Sequence, residues 1–354
     1  MANFFSVKVN DIHNQTHDSV SLSLDVGNEN LNEFKFIPGQ YITIKANIKG
    51  EDCRRSYSIC SSSTEILTVA VKKVYKGKMS TYINEDLNKG DIIEIQPPQG
   101  NFKLEEINQS SNRKFVGFAA GSGITPILSM IKELSIKETH SQFLLFYANK
   151  TSKDVMFKEE LNNLSNNNNI KVKYLFSREK VENELLNGRI SEKKAKELLK
   201  SNMDYLNADA FYLCGPEEMI FSTKKVLESF GVNSSKIKFE LFTTPVSEDN
   251  NVNKEDVIEG FDGESQVTVI YDDEEVEFSL NSDGDTILDA AMDNDLDVPF
   301  SCKGAVCCTC RAKVTEGSVT MDANYALSDQ EVEDGYILTC QSHPNSKKVI
   351  IDFD

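Results

Sequence analysis

The stretch CKGAVCCTC, residues 302–310, places four cysteines within nine positions. Three of them, Cys302, Cys307 and Cys310, follow the spacing C-x4-C-x2-C, which binds [2Fe–2S] clusters together with a more distant fourth cysteine. Cys340, in GYILTCQ, supplies that fourth thiol. Thiolates suit iron–sulfur centres because they are soft, anionic ligands. The pattern therefore predicts a loop wrapped around a [2Fe–2S] cluster.

Cys308 lies directly beside Cys307, so the two thiols are not expected to face the same iron. We predict that Cys308 packs behind the loop as a small residue. The spacing leaves two other interpretations open, a zinc site and a group of unrelated buried thiols. Zinc sites usually combine two C-x2-C-like halves, which C-x4-C fits poorly.

The chain of 354 residues is long enough for two or three domains, each with its own core. Its first twenty residues lack a cationic start followed by an apolar run, which argues against a signal peptide. No apolar run approaches the roughly 18 residues that a membrane helix needs. We therefore expect a soluble, cytoplasmic protein without a membrane partner, in which a cysteine cluster binds metal rather than forming disulfides.

The formal net charge of −18 is unevenly distributed along the chain. Residues 264–354 hold 20 acidic against 5 basic side chains, whereas residues 1–242 are close to neutral. Because no segment offers a basic patch to phosphates, nucleic acid is not an expected partner. The acidic end of the chain predicts either steering toward a basic docking surface or general solubility, and these two interpretations stay open.

The hydrophobic rhythm divides the chain into segments. Short alternating runs separated by turn signals predict an antiparallel β-barrel over residues 1–111. From 112 to 243, apolar strand-like runs alternate with helical stretches such as VMFKEELNNL (155–164), which predicts an α/β domain with a parallel sheet. Residues 244–263 are polar and acidic and are predicted to be a linker. Residues 264–354 combine a hairpin, a helix and a final strand-like run, which predicts an α+β domain.

The barrel segment contains RRSYSICS, residues 54–61, and its R-x-Y-S motif suits a flavin. Arg55 can pair with a diphosphate, Tyr57 can stack and Ser58 can hydrogen-bond near the flavin N5 atom. Ser80 follows in GKMST, a glycine-led turn that can offer backbone amides to phosphate. The alternative interpretation is an ordinary barrel strand with surface arginines.

AAGSGITPILSM, residues 119–130, places a glycine turn between a predicted strand and a predicted helix. Gly121 and Gly123 let the backbone approach a pyrophosphate, and the helix N-terminus adds a favourable dipole. A second strand-to-helix turn occurs in LCGPEEM, residues 213–219. Each turn alone could serve packing only, and Cys214 could be an ordinary buried core cysteine. Together, the two turns predict a dinucleotide site.

These motifs, with FIPGQY at 36–41, resemble the ferredoxin–NADP reductase superfamily, and the last ninety residues resemble a plant-type ferredoxin with its β-grasp fold. The resemblance implies FAD rather than FMN, because both R-x-Y-S and the GKMS turn are present. It implies NADPH as the hydride donor and electron transfer from FAD through the cluster to a protein acceptor. It also implies that Cys302 and Cys307 hold one iron while Cys310 and Cys340 hold the other.

The same resemblance assigns individual residues. The implied flavin-binding positions are Arg55, Ser56, Tyr57, Ser58, Lys72, Lys78, Met79 and Ser80. The implied nucleotide-binding positions are Gly121, Ser122, Gly123, Thr125, Ser177, Arg178, Cys214, Gly215 and Pro216. In this set Ser177 and Arg178 resemble the pair that grips the 2′-phosphate in NADP-preferring members, with a plain surface loop as the alternative.

Three positions are implied to act at the reacting atoms. Ser58 would lie at the flavin N5 atom and Cys214 at the nicotinamide. Glu240, in FELF, resembles the acidic residue near the flavin, although an ordinary strand-end glutamate fits nearly as well. What covers the flavin ring stays open, with Phe242 as a candidate.

The segments CCTCRAKVTEGSVTMDANYAL and GYILTCQ resemble reductase components that serve a multisubunit di-iron oxygenase. Reductases with similar motifs serve Rieske-type oxygenases, steroid hydroxylases or desaturases, so these acceptors stay open. A redox sensor whose cluster does not turn over is an alternative of another class. The intact flavin and nicotinamide motifs argue against that sensor.

Overall fold

The structure, a computed structural model, describes residues 4–107, 112–242, 261, 263–272 and 274–353. The chain divides into two compact units. One is Phe5–Phe242, and the other is Thr243–Asp354 together with Met1–Phe4. Apart from Phe261 and Gly263, the predicted linker lies outside the described residues. The predicted boundary between residues 111 and 112 adjoins another gap and stays a prediction. Within the described ranges, no helix is long and apolar enough to cross a membrane.

The first sheet is an antiparallel barrel, as predicted. Its elements are β1 (Phe5–Thr16), β2 (Ser19–Asp25), β3 (Tyr41–Ile48), β4 (Glu51–Ser58), β5 (Thr68–Lys72), α1 (Lys78–Glu85) and β6 (Ile92–Ile95). The strand order is β4-β3-β6-β1-β2-β5. Side chains alternate between the core and solvent, so that Val7 and Val9 are buried while Ser6 and Lys8 are exposed. A bridge between Ile59 and Val69 joins the two edges and closes the barrel.

The second sheet is parallel, with strand order β11-β10-β7-β8-β9. Its elements are β7 (Lys114–Ala120), α2 (Ile124–Lys137), β8 (Gln142–Asn149), α3 (Lys158–Ser165), β9 (Ile170–Phe176), α4 (Glu192–Lys200), β10 (Ala210–Cys214), α5 (Glu217–Ser229) and β11 (Ile237–Glu240). The central strands are continuous apolar runs because both of their faces are covered. The strand order reverses between β7 and β10, and ligands of such sheets bind at the carboxyl ends of the strands at this point. Both glycine turns identified in the sequence lie there.

The C-terminal unit is an α+β domain, as predicted. Its elements are β12 (Glu264–Tyr271), β13 (Glu274–Asn281), α6 (Ile287–Asp293), β14 (Arg311–Glu316), β15 (Val319–Met321), α7 (Asp329–Glu333), β16 (Tyr336–Leu338), β17 (Ser342–Pro344) and β18 (Lys348–Asp352). The main sheet has the order β13-β12-β18-β14-β16 and mixes parallel and antiparallel pairs. Thr286 begins α6, because its hydroxyl accepts a hydrogen bond from the Asp289 amide. The loop that carries Cys302, Cys307 and Cys310 connects α6 to β14.

Candidate functional site

The two arginines of RRSYS have different environments on β4. Arg54 is buried, and its guanidinium lies 2.9 Å from the carboxylate of Asp52. Arg55 is exposed, and its guanidinium donates a hydrogen bond to the carbonyl of Arg54. Ser58 ends the strand and is buried. Arg55 is therefore the arginine that faces solvent, as an interaction with a diphosphate requires.

The aromatic and hydroxyl groups between Arg55 and Ser58 are only partly exposed. The hydroxyl of Ser56 lies 3.3 Å from that of Thr43 on β3. Burial raises the pKa of the Tyr57 phenol far above its ordinary value, although the positive charge of Arg55 acts in the opposite direction. Tyr57 is therefore a neutral ring at physiological pH, suited to contact with a flat ligand.

The N-terminus of α1 offers backbone donors beside this strand. Gly77 precedes the helix and supplies no side-chain cap, so the first amides, from Lys78 onward, are left for a ligand. The Ser80 hydroxyl closes the preceding loop by accepting a 3.1 Å hydrogen bond from the Val74 amide. This arrangement fits the diphosphate of a flavin. Two predicted flavin residues form ion pairs within the protein, Lys78 with Glu51 and Lys72 with Asp18.

The three residues implied to act at the reacting atoms lie together. In the parallel sheet Cys214 pairs with Ala119 on one side and with Glu240 on the other. The Ser58 hydroxyl donates a 3.0 Å hydrogen bond to Oε2 of Glu240. The end of the barrel strand β4 thus meets the carboxyl ends of the nucleotide-domain strands.

The electrostatics of this junction keep its acids protonated. Removal of the Glu240 carboxyl group from water raises its pKa to about 8, although the hydrogen bond from Ser58 acts in the opposite direction. Cys214 is fully buried, and burial raises the pKa of its thiol well above the ordinary value, with a further rise from the negative charge of Glu240 once that group ionises. A thiol that stays protonated is a poor nucleophile. Cys214 is therefore suited to contact with a ligand rather than to covalent chemistry.

The two nucleotide turns contact each other through backbone atoms. A Cβ atom at Gly123 would lie 2.1 Å from the carbonyl oxygen of Cys214, so only glycine fits. Gly121 has φ of 55° and open space around the position of a Cβ atom. The hydroxyl of Thr125 donates a 3.0 Å hydrogen bond to the carbonyl of Ser122 and steadies the turn. The backbone is accessible at Gly121 and is held against the second turn at Gly123. This arrangement fits a pyrophosphate bound across the turn.

Ser177 and Arg178 follow the edge strand β9 at the same end of the sheet. Their amides donate hydrogen bonds of 3.0 Å and 2.8 Å to the carbonyls of Asn149 and Lys150. The side chain of Arg178 is exposed. The carboxylate of Glu179 turns away to accept a 2.7 Å hydrogen bond from the Ser152 amide. The backbone therefore holds Arg178 in place while leaving its guanidinium available to an anion.

The four cysteines of the C-terminal unit form two pairs. The sulfur of Cys307 lies 3.1 Å from that of Cys302, and the thiol of Cys310 is hydrogen-bonded to Cys340. Among the described residues, no three side chains of His, Cys, Asp or Glu are arranged to hold one metal ion. The pairing corresponds to the implied division of ligands between two irons.

Backbone donors surround these sulfurs. The Gly304 amide donates a 3.3 Å hydrogen bond to the sulfur of Cys302. The hydrogen bond from Cys307, followed by those from nearby amides, lowers the pKa of Cys302 to about 6. Lys303 and Ala305 adopt φ of 50° and 63° in this loop, and the amides of Val306 and Cys307 also hydrogen-bond to the sulfur of Cys302.

The pKa of Cys340 is lowered in the same way by its hydrogen bond with Cys310, whereas the same two hydrogen bonds together with burial raise the pKa values of Cys307 and Cys310. One sulfur of each pair therefore favours the thiolate, the form in which cysteine binds iron.

Cys308 does not join the two cysteine pairs. Its thiol donates a 3.4 Å hydrogen bond to the carbonyl of Ala326, and it packs against the core of the unit. This is the position predicted for it.

Some residues that shape the site were not identified from the sequence. The buried Tyr147 donates a 3.0 Å hydrogen bond to the carbonyl of Gly121. The amide nitrogen of the Asn149 side chain is buried and has no hydrogen-bond partner in the described part of the chain. Both residues come from QFLLFYAN, where polar groups in an otherwise apolar strand were the available signal. Polar contacts between α2 and the barrel were also missed.

Comparison with protein families identifies three domains in the order of the segments above. The oxidoreductase FAD-binding domain matches residues 6–104. The oxidoreductase NAD-binding domain matches residues 118–225, and the 2Fe-2S iron-sulfur cluster binding domain matches residues 269–345. The implied cofactor classes FAD, NAD(P) and [2Fe–2S] are thereby confirmed.

Similar proteins match nearly the whole length of this chain. A component of the 1,2-phenylacetyl-CoA epoxidase from Escherichia coli is 36% identical over 360 residues, covering 100% of this chain and 99% of that protein. The ferredoxin reductase component of 3-ketosteroid-9-alpha-monooxygenase from Rhodococcus rhodochrous is 28% identical, covering 98% and 95%. The structure of phthalate dioxygenase reductase superposes with a TM-score of 0.60 at 22% identity, covering 99% and 98%. This last likeness shows the fold.

Proposed function

Because the chain belongs to the ferredoxin–NADP reductase-like family of oxidoreductases with FAD-binding, NAD-binding and 2Fe-2S domains, we propose that it is the reductase of a phenylacetyl-CoA epoxidase. In this role it takes electrons from NADPH and delivers them to a multisubunit di-iron oxygenase. The aromatic substrate binds the oxygenase and does not contact this chain.

The bound groups would supply the conversion from a two-electron donor to one-electron delivery, since a flavin accepts a hydride and an iron–sulfur cluster transfers single electrons. The protein supplies positions and charges. Arg55 and the N-terminus of α1 bind a diphosphate, and the turns at Gly121–Gly123 and Cys214–Pro216 hold the dinucleotide. Ser58 presents a hydroxyl at the junction, and Glu240 holds that hydroxyl in place.

The observation that carries the chemistry is the meeting of Ser58, Glu240 and Cys214 at one point. It joins the flavin strand to the nucleotide turn through a hydrogen bond and a strand pair. A protein that only sensed redox state through its cluster would not need a nicotinamide position beside a flavin position. The geometry therefore favours turnover of NAD(P)H.

The acceptor is proposed from the relatives. The 36% identity to the epoxidase component covers nearly the full length of both chains and supports a phenylacetyl-CoA epoxidase as the acceptor. The 28% identity to the ketosteroid monooxygenase component also covers nearly the whole chain and supports a second candidate acceptor. The preference for NADPH rests on the exposed Arg178 at the end of β9.

Reconstitution tests both parts of the proposal. Under anaerobic conditions NADPH should bleach the visible absorbance of FAD and of the cluster together, whereas a sensor would leave the cluster oxidised. The purified chain is then mixed with the oxygenase components of a phenylacetyl-CoA epoxidase or with the oxygenase component of a 3-ketosteroid-9-alpha-monooxygenase, and product formation is measured. Epoxidation with the first set alone supports the proposed acceptor. Turnover only with the second would leave the reductase chemistry intact and overturn the epoxidase assignment.

A further inference from the structure

A group of buried polar residues, here called the polar seam, joins the barrel to helix α2. It consists of Ser61–Ser63, which follow β4, and of Ser129 and Glu133 on α2. Ser61, Ser62 and Ser129 are at most 1% exposed. The Ser129 hydroxyl donates a 2.6 Å hydrogen bond to the carbonyl of Ser61. One turn further along α2, Glu133 is 2% exposed and faces Ser63.

Glu133 accepts three hydrogen bonds with its two carboxylate oxygens. Oε2 accepts from the Ser63 amide at 2.8 Å, and Oε1 accepts from the Ser63 hydroxyl at 2.7 Å. The ammonium group of Lys137 lies 2.6 Å from Oε1 and also donates to the Ser63 hydroxyl. Burial opposes ionisation, but the hydrogen bonds from Lys137 and Ser63 outweigh it and lower the pKa of Glu133. The carboxylate is therefore a charged anchor with both oxygens engaged.

The polar seam lies a few residues from the flavin strand on one side and from the nucleotide turn on the other. On the barrel side, Ser61 follows Ser58 by three residues. On the other side, α2 begins at Ile124, directly after the glycine turn. Ser129 and Glu133 are four residues apart, so they present one face of α2 to the serine run. Any sliding of α2 along the barrel would move the nucleotide turn relative to Ser58.

We propose that Glu133 is a positioning residue, which fixes the nicotinamide turn relative to the flavin strand by holding Ser63 to helix α2. This inference rests on the proposed function, because it assigns Glu133 a part in hydride transfer. Positioning errors of about 1 Å far from the reacting atoms can cost about a hundredfold in rate.

The test uses the full chain with its FAD and cluster and the coenzyme, NADPH or NADH, that reduces the wild type faster. Glu133→Gln keeps the shape of the side chain but replaces one carboxylate oxygen with an NH2 group. Only one oxygen then remains to accept from the three donors, which are the Ser63 amide, the Ser63 hydroxyl and the Lys137 ammonium group. Ser63→Ala removes the hydroxyl, and with it the hydrogen bond to Oε1 of Glu133 and the one from Lys137, but keeps the backbone bond to Oε2. Glu228→Gln is the matched control, because Glu228 accepts a 3.0 Å hydrogen bond from Ser234 within the nucleotide domain, away from the barrel. Stopped flow gives the limiting rate of FAD reduction and the coenzyme dissociation constant, and absorbance gives the FAD content.

We expect Glu133→Gln to lower the limiting rate at least about tenfold with coenzyme affinity and FAD content retained. Ser63→Ala should lower the rate less, and the double variant should lose less than the product of the two effects, because the residues share one interaction. Glu228→Gln should match the wild type. Unchanged rates in Glu133→Gln and Ser63→Ala, or rate losses that only follow loss of FAD, would overturn the inference while the proposed function stands. A wild type that neither coenzyme reduces would overturn the proposed function itself.

Discussion

The hydroxyl of Ser58 and the carboxyl group of Glu240 are hydrogen-bonded at 3.0 Å, although 182 residues separate them in the chain. Ser58 belongs to the barrel and Glu240 to the last strand of the nucleotide domain. The pKa of Glu240 is raised to about 8, mainly by removal of its carboxyl group from water. At neutral pH the pair is therefore uncharged.

The first prediction concerns pH. Ionisation of Glu240 above about pH 8 adds negative charge where electrons must arrive, so FAD reduction should slow as pH rises through that value. Glu240→Gln stays neutral at all pH values and should remove this decline. The limiting rate of FAD reduction, measured from pH 6 to pH 9 in both proteins, provides the check. An identical decline in the variant would show that another group titrates.

The second prediction concerns the nucleotide turns. Gly123→Ala places a Cβ atom 2.1 Å from the carbonyl oxygen of Cys214, so the backbone must shift. Overpacking of this kind costs about 1–3 kcal/mol, and here it falls on the coenzyme site. Gly231→Ala is the matched control, because its φ of 82° carries strain and its surroundings are open, and it follows the C-terminal end of α5 away from both turns. Titration with NADP⁺ should show the larger loss of affinity for Gly123→Ala, and equal losses would contradict the crowding explanation.

The third prediction concerns coenzyme preference. Arg178→Ala should raise the KM for NADPH by at least about tenfold and leave the KM for NADH nearly unchanged, because only NADPH carries the 2′-phosphate. Lys193→Ala, at an exposed position of α4, removes a positive charge of the same domain and serves as the control. Steady-state reduction of ferricyanide with each coenzyme gives the values. Equal effects on both coenzymes would remove the proposed role of Arg178.

The fourth prediction concerns the cysteines. Cys340→Ser should abolish the visible spectrum of the cluster while FAD is retained, because Cys340 pairs with Cys310. Cys308→Ser should leave the spectrum intact, since that thiol is hydrogen-bonded to Ala326 instead. Iron content and visible absorbance of the two purified variants decide between these outcomes. Loss of the cluster in Cys308→Ser would mean that the ligand set is wrong.

Local patterns in the sequence predicted the architecture well. The alternation of apolar and polar residues in β1 indicated a barrel strand, because such a strand is buried on one face only. The continuous apolar runs of β7 and β10 indicated a parallel sheet, because its strands are buried on both faces. The boundary of α3 was less predictable. The helical pattern begins at Val155, but the helix begins at Lys158. Phe157 adopts φ of 56°, and its amide donates to Gln15 of the barrel.

The candidate site could be predicted only where one motif carries its own chemistry. The cysteine spacing and R-x-Y-S are of this kind. The buried seam could not be predicted, because Ser63 and Glu133 are 70 residues apart and neither belongs to a recognisable motif. The hydrogen bond between Tyr147 and Gly121 was missed for the same reason. The first contact depends on how α2 packs against the barrel and the second on the pairing of β7 with β8, and local patterns encode neither.

The backbone contact between Gly123 and Cys214 has a consequence for engineering. Any side chain at Gly123 would collide with the Cys214 carbonyl, so combinatorial libraries that vary this position would mostly sample inactive proteins. The exposed residues Ser177 and Arg178 are held by their own backbone hydrogen bonds, and their side chains can be exchanged without loss of those bonds. A search for variants that use a cheaper coenzyme or a synthetic analogue should therefore randomise this loop and keep both turns constant.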